Sequence, residues 1–385
     1  MPAQLTHIFQ LPTIPFHFPF FKKNDIIPLM TTALERTTHP ETQEQSHVTV
    51  PTSVYLGGHR ISNEEIVYYA RRNNVTTDGG NPLTVEKIVQ VTGILVRHEA
   101  APYETHEYMA KKVLADLLQK AGTPDALVIA STDYSPQHLG RVLWEEIKNR
   151  GLVKEVPDLE KDPNAGMLVH GACAGGALAF THLKNNEDYY KGKKVFVIAV
   201  ENPTLPPLEK DPSFQKNIFS AAAAGMAVMY GEDFEVTKVL KPETFDDTKK
   251  RRLEIPQKHP RQEPYYEVQP IPQPNDKLQH MNGKEVYRWA IKEVPPYLKK
   301  LIEETNAKIV ALHQANERIT NSIAGRFSGL KFLNNIAYVG NTSSASILIA
   351  LDEAIKKGEI KKGDEVAAVG FGGGLQIAGA VCKFI

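Results

Sequence analysis

Met167-Leu168-Val169-His170-Gly171-Ala172-Cys173-Ala174-Gly175-Gly176 contains the local pattern from which the fold can be read. A short apolar run predicts a buried strand. The glycine-marked turn follows, and the Ala-rich stretch from Gly175 to Asn185 is helical in character. Working outward, the same rhythm recurs on both sides. Upstream, Val50 to Leu56 predicts a strand, Glu104 to Ala121 an amphipathic helix stopped at Gly122, Ala126 to Ala130 a strand and Leu139 to Asn149 a helix. Downstream, Val195 to Val200 and Ala223 to Tyr230 predict two further strands. Alternating short apolar strands and helices point to an α/β sheet with parallel pairing.

The stretch Lys241 to Lys277 breaks this rhythm, being Pro-rich, charged and aperiodic, and is expected to be an irregular excursion. The pattern then resumes with helix Gly283 to Thr305, strand Lys308 to Leu312, helix Ile319 to Arg326 and strand Ile336 to Val339. Helix Ser346 to Lys357, strand Glu365 to Val369, a Gly370–Gly374 loop and strand Gln376 to Phe384 complete it. The expected organisation is an N-terminal extension over 1–49, a first half over 50–240, the excursion over 241–277 and a second half over 278–385. The two halves share an element order, which hints at duplication, although the letters themselves show no repeat. Residues 31–50 are polar and read as disordered, and Met30 is an alternative start.

The 385 residues carry 45 basic and 45 acidic side chains, a zero balance that argues against a general nucleic-acid binder. No apolar run approaches the roughly 20 residues of a membrane-spanning helix, and Pro12, Pro15 and Pro19 interrupt the Leu11–Phe21 run. Two cysteines, Cys173 and Cys382, make no disulfide framework and no metal-type spacing, so a reducing, cytoplasmic setting is expected, with no metal.

Three strand-end segments carry the chemistry: Gly171 to Gly176 with Cys173, His313-Gln314-Ala315-Asn316-Glu317-Arg318-Ile319, and Gly340-Asn341-Thr342-Ser343-Ser344-Ala345-Ser346. A thiol, an imidazole and an amide are the parts of a site that works through a covalent thioester. The helix following Cys173 is expected to favour its thiolate. Singly, each has a bland reading: a buried cysteine, a structural histidine, a turn asparagine. Cys382, in the terminal apolar strand, keeps that reading. The Gly370-Phe371-Gly372-Gly373-Gly374 run can bring backbone N–H groups against a reacting oxygen, and it lacks the Lys-Ser/Thr and the spacing of a nucleotide loop.

With Thr92-Gly93-Ile94, Met281 to Val286 and Ala224 to Val228, these segments resemble the β-ketoacyl-acyl carrier protein synthase III enzymes from about Val54 to the C-terminus. The resemblance implies a thiolase fold, with two similar βαβαβ halves in an α-β-α-β-α layering, and a homodimer. It implies that Cys173 accepts an acyl group and that His313 and Asn341 stabilise the enolate left by decarboxylation of a malonyl-type thioester. The N–H groups of Cys173 and Gly373 would form the oxyanion hole, Phe371 would shape the pocket, and Arg318 and Arg326 would dock an acyl carrier protein. No cofactor is implied, the acyl thioesters of coenzyme A or carrier protein being substrates. Lys87 and Val91 stand where the family has the tryptophan and arginine that meet coenzyme A, which leaves the donor open. Tyr134 to Leu139 does not fix the chain length. Other readings are non-condensing acyl transfer or hydrolysis from the same cysteine, a papain-like peptidase and an inactive partner subunit.

Overall fold

In the computed structural model, residues 48–77, 80–132, 136–203, 218–245, 253–254, 280–281 and 283–385 are described. The expected N-terminal extension, the Met30 start and most of the 241–277 excursion lie outside them.

The strands in chain order are β1 (Thr52–Leu56), β2 (His59–Ser62), β3 (Val96–Glu99), β4 (Ala126–Ser131), β5 (Gly166–Val169), β6 (Lys194–Glu201) and β7 (Ala222–Met229). They are followed by β8 (Phe234–Thr244), β9 (Leu253–Glu254), β10 (His280–Met281), β11 (Ile309–Leu312), β12 (Lys331–Phe332), β13 (Glu365–Gly372) and β14 (Gln376–Phe384). Two five-stranded sheets form the frame, ordered β1-β7-β6-β4-β5 and β12-β11-β13-β14-β8. Each has parallel pairs at one side and antiparallel pairs at the other. Reading each half's five strands in chain order, both sheets have the third strand at one edge and the first at the other. The duplication hinted at by element order is a duplication of topology.

Strand periodicity assigns the layers. In β6, Val195, Val197 and Ala199 enter a core shared with helices Gly175–Asn185 and Ser346–Lys356. The alternate Phe196, Ile198 and Val200 pack under helices His106–Ala121 and Pro136–Asn149. On the second sheet Val366 and Ala368 of β13 face the same central helices, while Ala367, Val369 and Phe371 pack under helices Gly283–Ile302 and Glu317–Ala324. Both sheets are covered on both faces, which is why their central strands read as nearly unbroken apolar runs. The result is the expected α-β-α-β-α layering.

Several boundaries differ from the sequence expectation for local reasons. The helix expected from Glu104 begins at His106, because Thr105 is its N-cap and accepts from the N–H of Tyr108. Glu104 is instead committed to the N–H groups of Gly58 and Ala101. Ile336–Val339 is a helical turn rather than a strand, closed by Gly340 at φ +70. A four-residue apolar run has no period to separate the two states, and the short β12 supplies the parallel edge instead. The expected Gly370–Gly374 loop is largely strand, since β13 runs through Gly372. Strand β8 was not expected: it carries Lys238, Lys241 and Pro242, as edge strands do, and among the described strands its ladder is with β14. Because β8 belongs to the second sheet and begins at Phe234, the division between halves falls before the expected residue 240.

Candidate active site

The turn after β5 is a short 3-10 segment, Ala172–Ala174, leading into helix Gly175–Asn185. The turn before helix Ser346–Lys356 is built the same way, Ser343–Ala345. The two turns meet. Ser343 Oγ donates to Cys173 Sγ at 3.5 Å, and the Ser343 N–H donates to Asn341 Oδ1 at 2.9 Å. That bond fixes the orientation of the Asn341 amide, leaving its NH2 end as the donor for a ligand. Asn341 itself is pinned by its backbone, which pairs with Ile218 and Ser220.

His313 joins the cluster through Ser346. The Ser346 hydroxyl donates to Ser343 O at 2.8 Å and lies 2.8 Å from His313 Nδ1. Since its one proton is committed to a carbonyl, Ser346 accepts from Nδ1–H, and Nε2 then carries the lone pair. Phe371 stands edge-on to the His313 ring, with centroids 5.3 Å apart, and Trp289 backs Phe371.

The parity of β13 explains its glycines. With Phe371 turned to the outer helices, Gly370 and Gly372 face the central layer, where Ala174 and Cys173 descend onto them. A Cβ on Gly370 would lie 2.7 Å from Ala174 Cα, and one on Gly372 would lie 2.6 Å from Cys173 Cβ. Only glycine allows β13 to pass this close to the thiol. The approach brings the N–H of Gly373 to Cys173, so the two expected oxyanion donors converge at the sulfur.

Cys173, His313 and Asn341 are all buried, at 6%, 1% and 3% exposure. Burial dominates their ionisation. It pushes the Cys173 thiol up to about 11, opposed by Ser343 and by the N–H groups of Gly373 and Cys173, and reinforced by the charge of Glu201. The expected thiolate bias from the helix terminus is therefore overridden in the free site, where removal from water disfavours charge. Burial also lowers His313 to about 3, so the ring is neutral at neutral pH.

Thus Cys173, His313, Asn341, Phe371 and Gly373 come together. Arg318 and Arg326 do not: both are exposed, on and just after helix Glu317–Ala324, and Arg318 lies over the Tyr287 ring. Lys87 is exposed on helix Val85–Thr92 and bonds Gln90, whereas the side chains of 133–138 lie outside the described residues. Sequence reasoning gave no role to Ser343, Ser346, Trp289 or Glu201. The serines lay inside a segment already singled out, and Glu201 obeys the same strand-end rule as His313.

Residues 299–384 match the model of the 3-oxoacyl-[acyl-carrier-protein] synthase III C-terminal region. β-Ketoacyl-[acyl-carrier-protein] synthase III of Prochlorococcus marinus (strain MIT 9313) is 44% identical over 111 residues, 27% of this chain and 33% of that protein. That of Acaryochloris marina (strain MBIC 11017) is 45% identical over 111 residues, 27% and 33% of the two. The aligned stretch thus spans about a third of the length of the curated relatives it matches. The crystal structure of the Thermus thermophilus synthase III superposes with a TM-score of 0.67 at 24% identity, covering 88% of this chain and 99% of that one. The priming β-ketosynthase of the R1128 polyketide pathway gives 0.62 at 24% identity, covering 87% and 95%. The protein therefore has a thiolase fold enclosing a cysteine, histidine and asparagine site. Its C-terminal segment is similar in sequence to that of the β-ketoacyl-acyl carrier protein synthase III enzymes, and its fold across the chain is similar to their solved structures.

Proposed function

We propose that the protein is an acyltransferase that condenses a Cys173-bound acyl group with a malonyl-type thioester, with loss of carbon dioxide, to give a β-ketoacyl product. The observation that carries this reading is the convergence of Cys173, Asn341 and His313 on one turn, Ser343–Ser346. Cys173 Sγ attacks the donor thioester, and the N–H groups of Cys173 and Gly373 hold the oxyanion as the donor thiol leaves with the sulfur's proton. The malonyl thioester then loses carbon dioxide, and its electron pair becomes an enolate. The Asn341 NH2 hydrogen-bonds the enolate oxygen, and the neutral His313 ring joins it as the Nε2–H tautomer, with the Ser346 hydroxyl turned from Ser343 O to donate to Nδ1. The enolate carbon attacks the Cys173 thioester and expels the sulfur. Phe371, against His313, lines the hydrophobic side where carboxylate is disfavoured. Both the fatty-acid and the polyketide setting fit, and neither step calls for a cofactor.

A coenzyme A or carrier-protein thioester as donor, carrier docking at Arg318 and Arg326, a homodimer and a cytoplasmic setting belong to the same proposal. In its support, the two arginines are exposed, on and just after helix Glu317–Ala324, and no helix among the described residues is long and apolar enough to cross a membrane. The site's position between two duplicated sheets speaks against a papain-like peptidase. A non-condensing transfer from Cys173 is the reading that the test must separate. Intact mass after exposure to acyl thioesters should show one adduct, absent in Cys173→Ala, and malonyl thioesters should release carbon dioxide. His313→Ala or Asn341→Ala should slow decarboxylation by about 100-fold or more, and acylation less. Acylation without carbon dioxide release would leave a plain acyltransferase.

A further inference from the structure

Ser346 opens helix Ser346–Lys356, fully buried, and its Oγ is the meeting point of three groups. Ser343 O and His313 Nδ1 each lie 2.8 Å away, and the N–H of Gln314 donates to it at 3.4 Å. The Gln314 side chain braces that N–H, its Nε2 donating to Leu312 O and Leu333 O. With Gln314 on one lone pair, the hydroxyl has a single proton to give and two places at equal distance to give it. While it donates to Ser343 O, His313 carries its proton on Nδ1. When it turns to Nδ1, the ring carries its proton on Nε2. One proton leaves Nδ1 and one reaches Nε2, so the ring is neutral in both arrangements. Burial, which lowers His313 to about 3, keeps the charged ring from replacing either.

We propose that Ser346 is a positioning residue for decarboxylation, its hydroxyl deciding which nitrogen of His313 carries the proton, while Ser343 in the same turn serves the thiol. The inference rests on the proposed condensation. Only the Nε2–H form can donate to an enolate oxygen, and a donor fixed before the charge develops assists that step most. Asn341 needs no such choice, since the Ser343 N–H already holds its Oδ1 and leaves its NH2 to donate. The Cys173 thiol meets Ser343 Oγ, three residues before Ser346. One turn thus carries two hydroxyls with separate clients, and acylation and decarboxylation can be impaired one at a time. Without Ser346 Oγ, a bare Nδ1 would be buried with no donor, whereas Nδ1–H keeps the Ser343 backbone as its partner. Ser346→Ala therefore holds the ring in the Nδ1–H form and takes the Nε2 donor away from the enolate.

The test is Ser346→Ala in the full chain, with intact mass following acylation and carbon dioxide release following malonyl thioesters. Decarboxylation should lose about 10-fold or more in kcat, with KM shifted by less than about threefold, and acylation should fall by less than about threefold. Ser346→Thr keeps a hydroxyl in place and should recover part of the lost rate. An unchanged decarboxylation rate or an equal loss in both half-reactions overturns the proposal. So does a Ser346→Thr protein of wild-type thermal stability that decarboxylates no faster than Ser346→Ala. The ring itself gives a second reading. In protein labelled with heavy nitrogen at histidine, His313 is assigned by the signals lost in His313→Asn. Its Nε2 signal should lie between the bare and protonated positions in the wild type and at the bare position in Ser346→Ala; identical signals overturn the proposal. If the wild type releases no carbon dioxide from malonyl thioesters, the proposed function fails, and the ring signals still decide whether Ser346 directs the His313 proton.

Discussion

The two halves share one topology and differ in what they load onto it. In each, a non-glycine residue at positive φ opens the 3-10 turn, Ala172 at 44° and Ser343 at 49°. Each turn runs into an 11-residue helix, Gly175–Asn185 and Ser346–Lys356. By that alignment Ser344 is the counterpart of Cys173. Likewise the last residue of β6, Glu201, corresponds to the last residue of β13, Gly372. One half presents a nucleophile backed by bare backbone; the other presents hydroxyls backed by a buried carboxyl. Left-handed backbone at a residue with a side chain costs on the order of 1–3 kcal/mol, and here it occurs at both turns that build the site. On the proposed function, duplication of the frame has let one copy specialise in covalent chemistry and the other in orienting it.

The comparison breaks most severely at Gly372. Gly372→Ala places a methyl 2.6 Å from Cys173 Cβ and 3.1 Å from Sγ, contacts that backbone neighbours cannot relieve without moving the nucleophile. A displacement of about 1 Å costs roughly 100-fold in such sites, so acylation should fall by at least that factor. The fold should survive with a loss of about 1–3 kcal/mol. Acylation measured by intact mass, alongside thermal unfolding, separates the two effects. Just after Cys173, Gly175→Ala puts its methyl 3.0 Å from Ser344 Cβ in the counterpart turn and should cost stability with a smaller effect on acylation.

A smaller effect is expected at Ser343. Ser343→Ala removes a donor that lowers the thiol pKa, so the alkylation midpoint of Cys173 should rise and the rate at pH 8 should fall several-fold. A midpoint that stays in place would mean that the two turns touch without acting on each other.

Part of this was legible in the sequence because Cys173 and His313 lie just past the apolar strands β5 and β11, whose ends the apolar runs mark. Asn341 was singled out by the same rule, although the run before it is a helical turn and not a strand. Strand β8 escaped because it is an edge strand among the described residues and its charged side chains have no apolar period. Ile336–Val339 misled because four apolar residues fit either state. The thiol's ionisation was misjudged for a different reason: a helix terminus can be read locally, whereas burial comes from β13, β14 and the second turn, all distant in sequence. Glu201 was overlooked because a carboxylate ending an apolar strand looks like an ordinary boundary until Ser344, 143 positions later, is seen beside it.

The least disruptive way to sharpen the comparison is to ask what the buried carboxyl costs the fold. Glu201 is raised from an ordinary carboxyl value to about 7, with burial as the leading cause. In the pH range between those two values the folded protein binds a proton that the unfolded chain has released. Stability must therefore decline as pH rises through that window, and the penalty is complete above about pH 7. The rise sets an upper bound of about 3 kcal/mol, part of which Thr132 and Ser344 offset. Glu201→Gln has no charge to bury, so it should gain stability relative to the wild type on going from pH 5 to pH 8, read by urea denaturation at each pH. Gly372 contributes no such dependence at the corresponding place, and Gly372→Ala should change stability equally at both values. Were Glu201→Gln to show the same pH dependence as the wild type, the carboxyl would be paired well enough to sit there without cost.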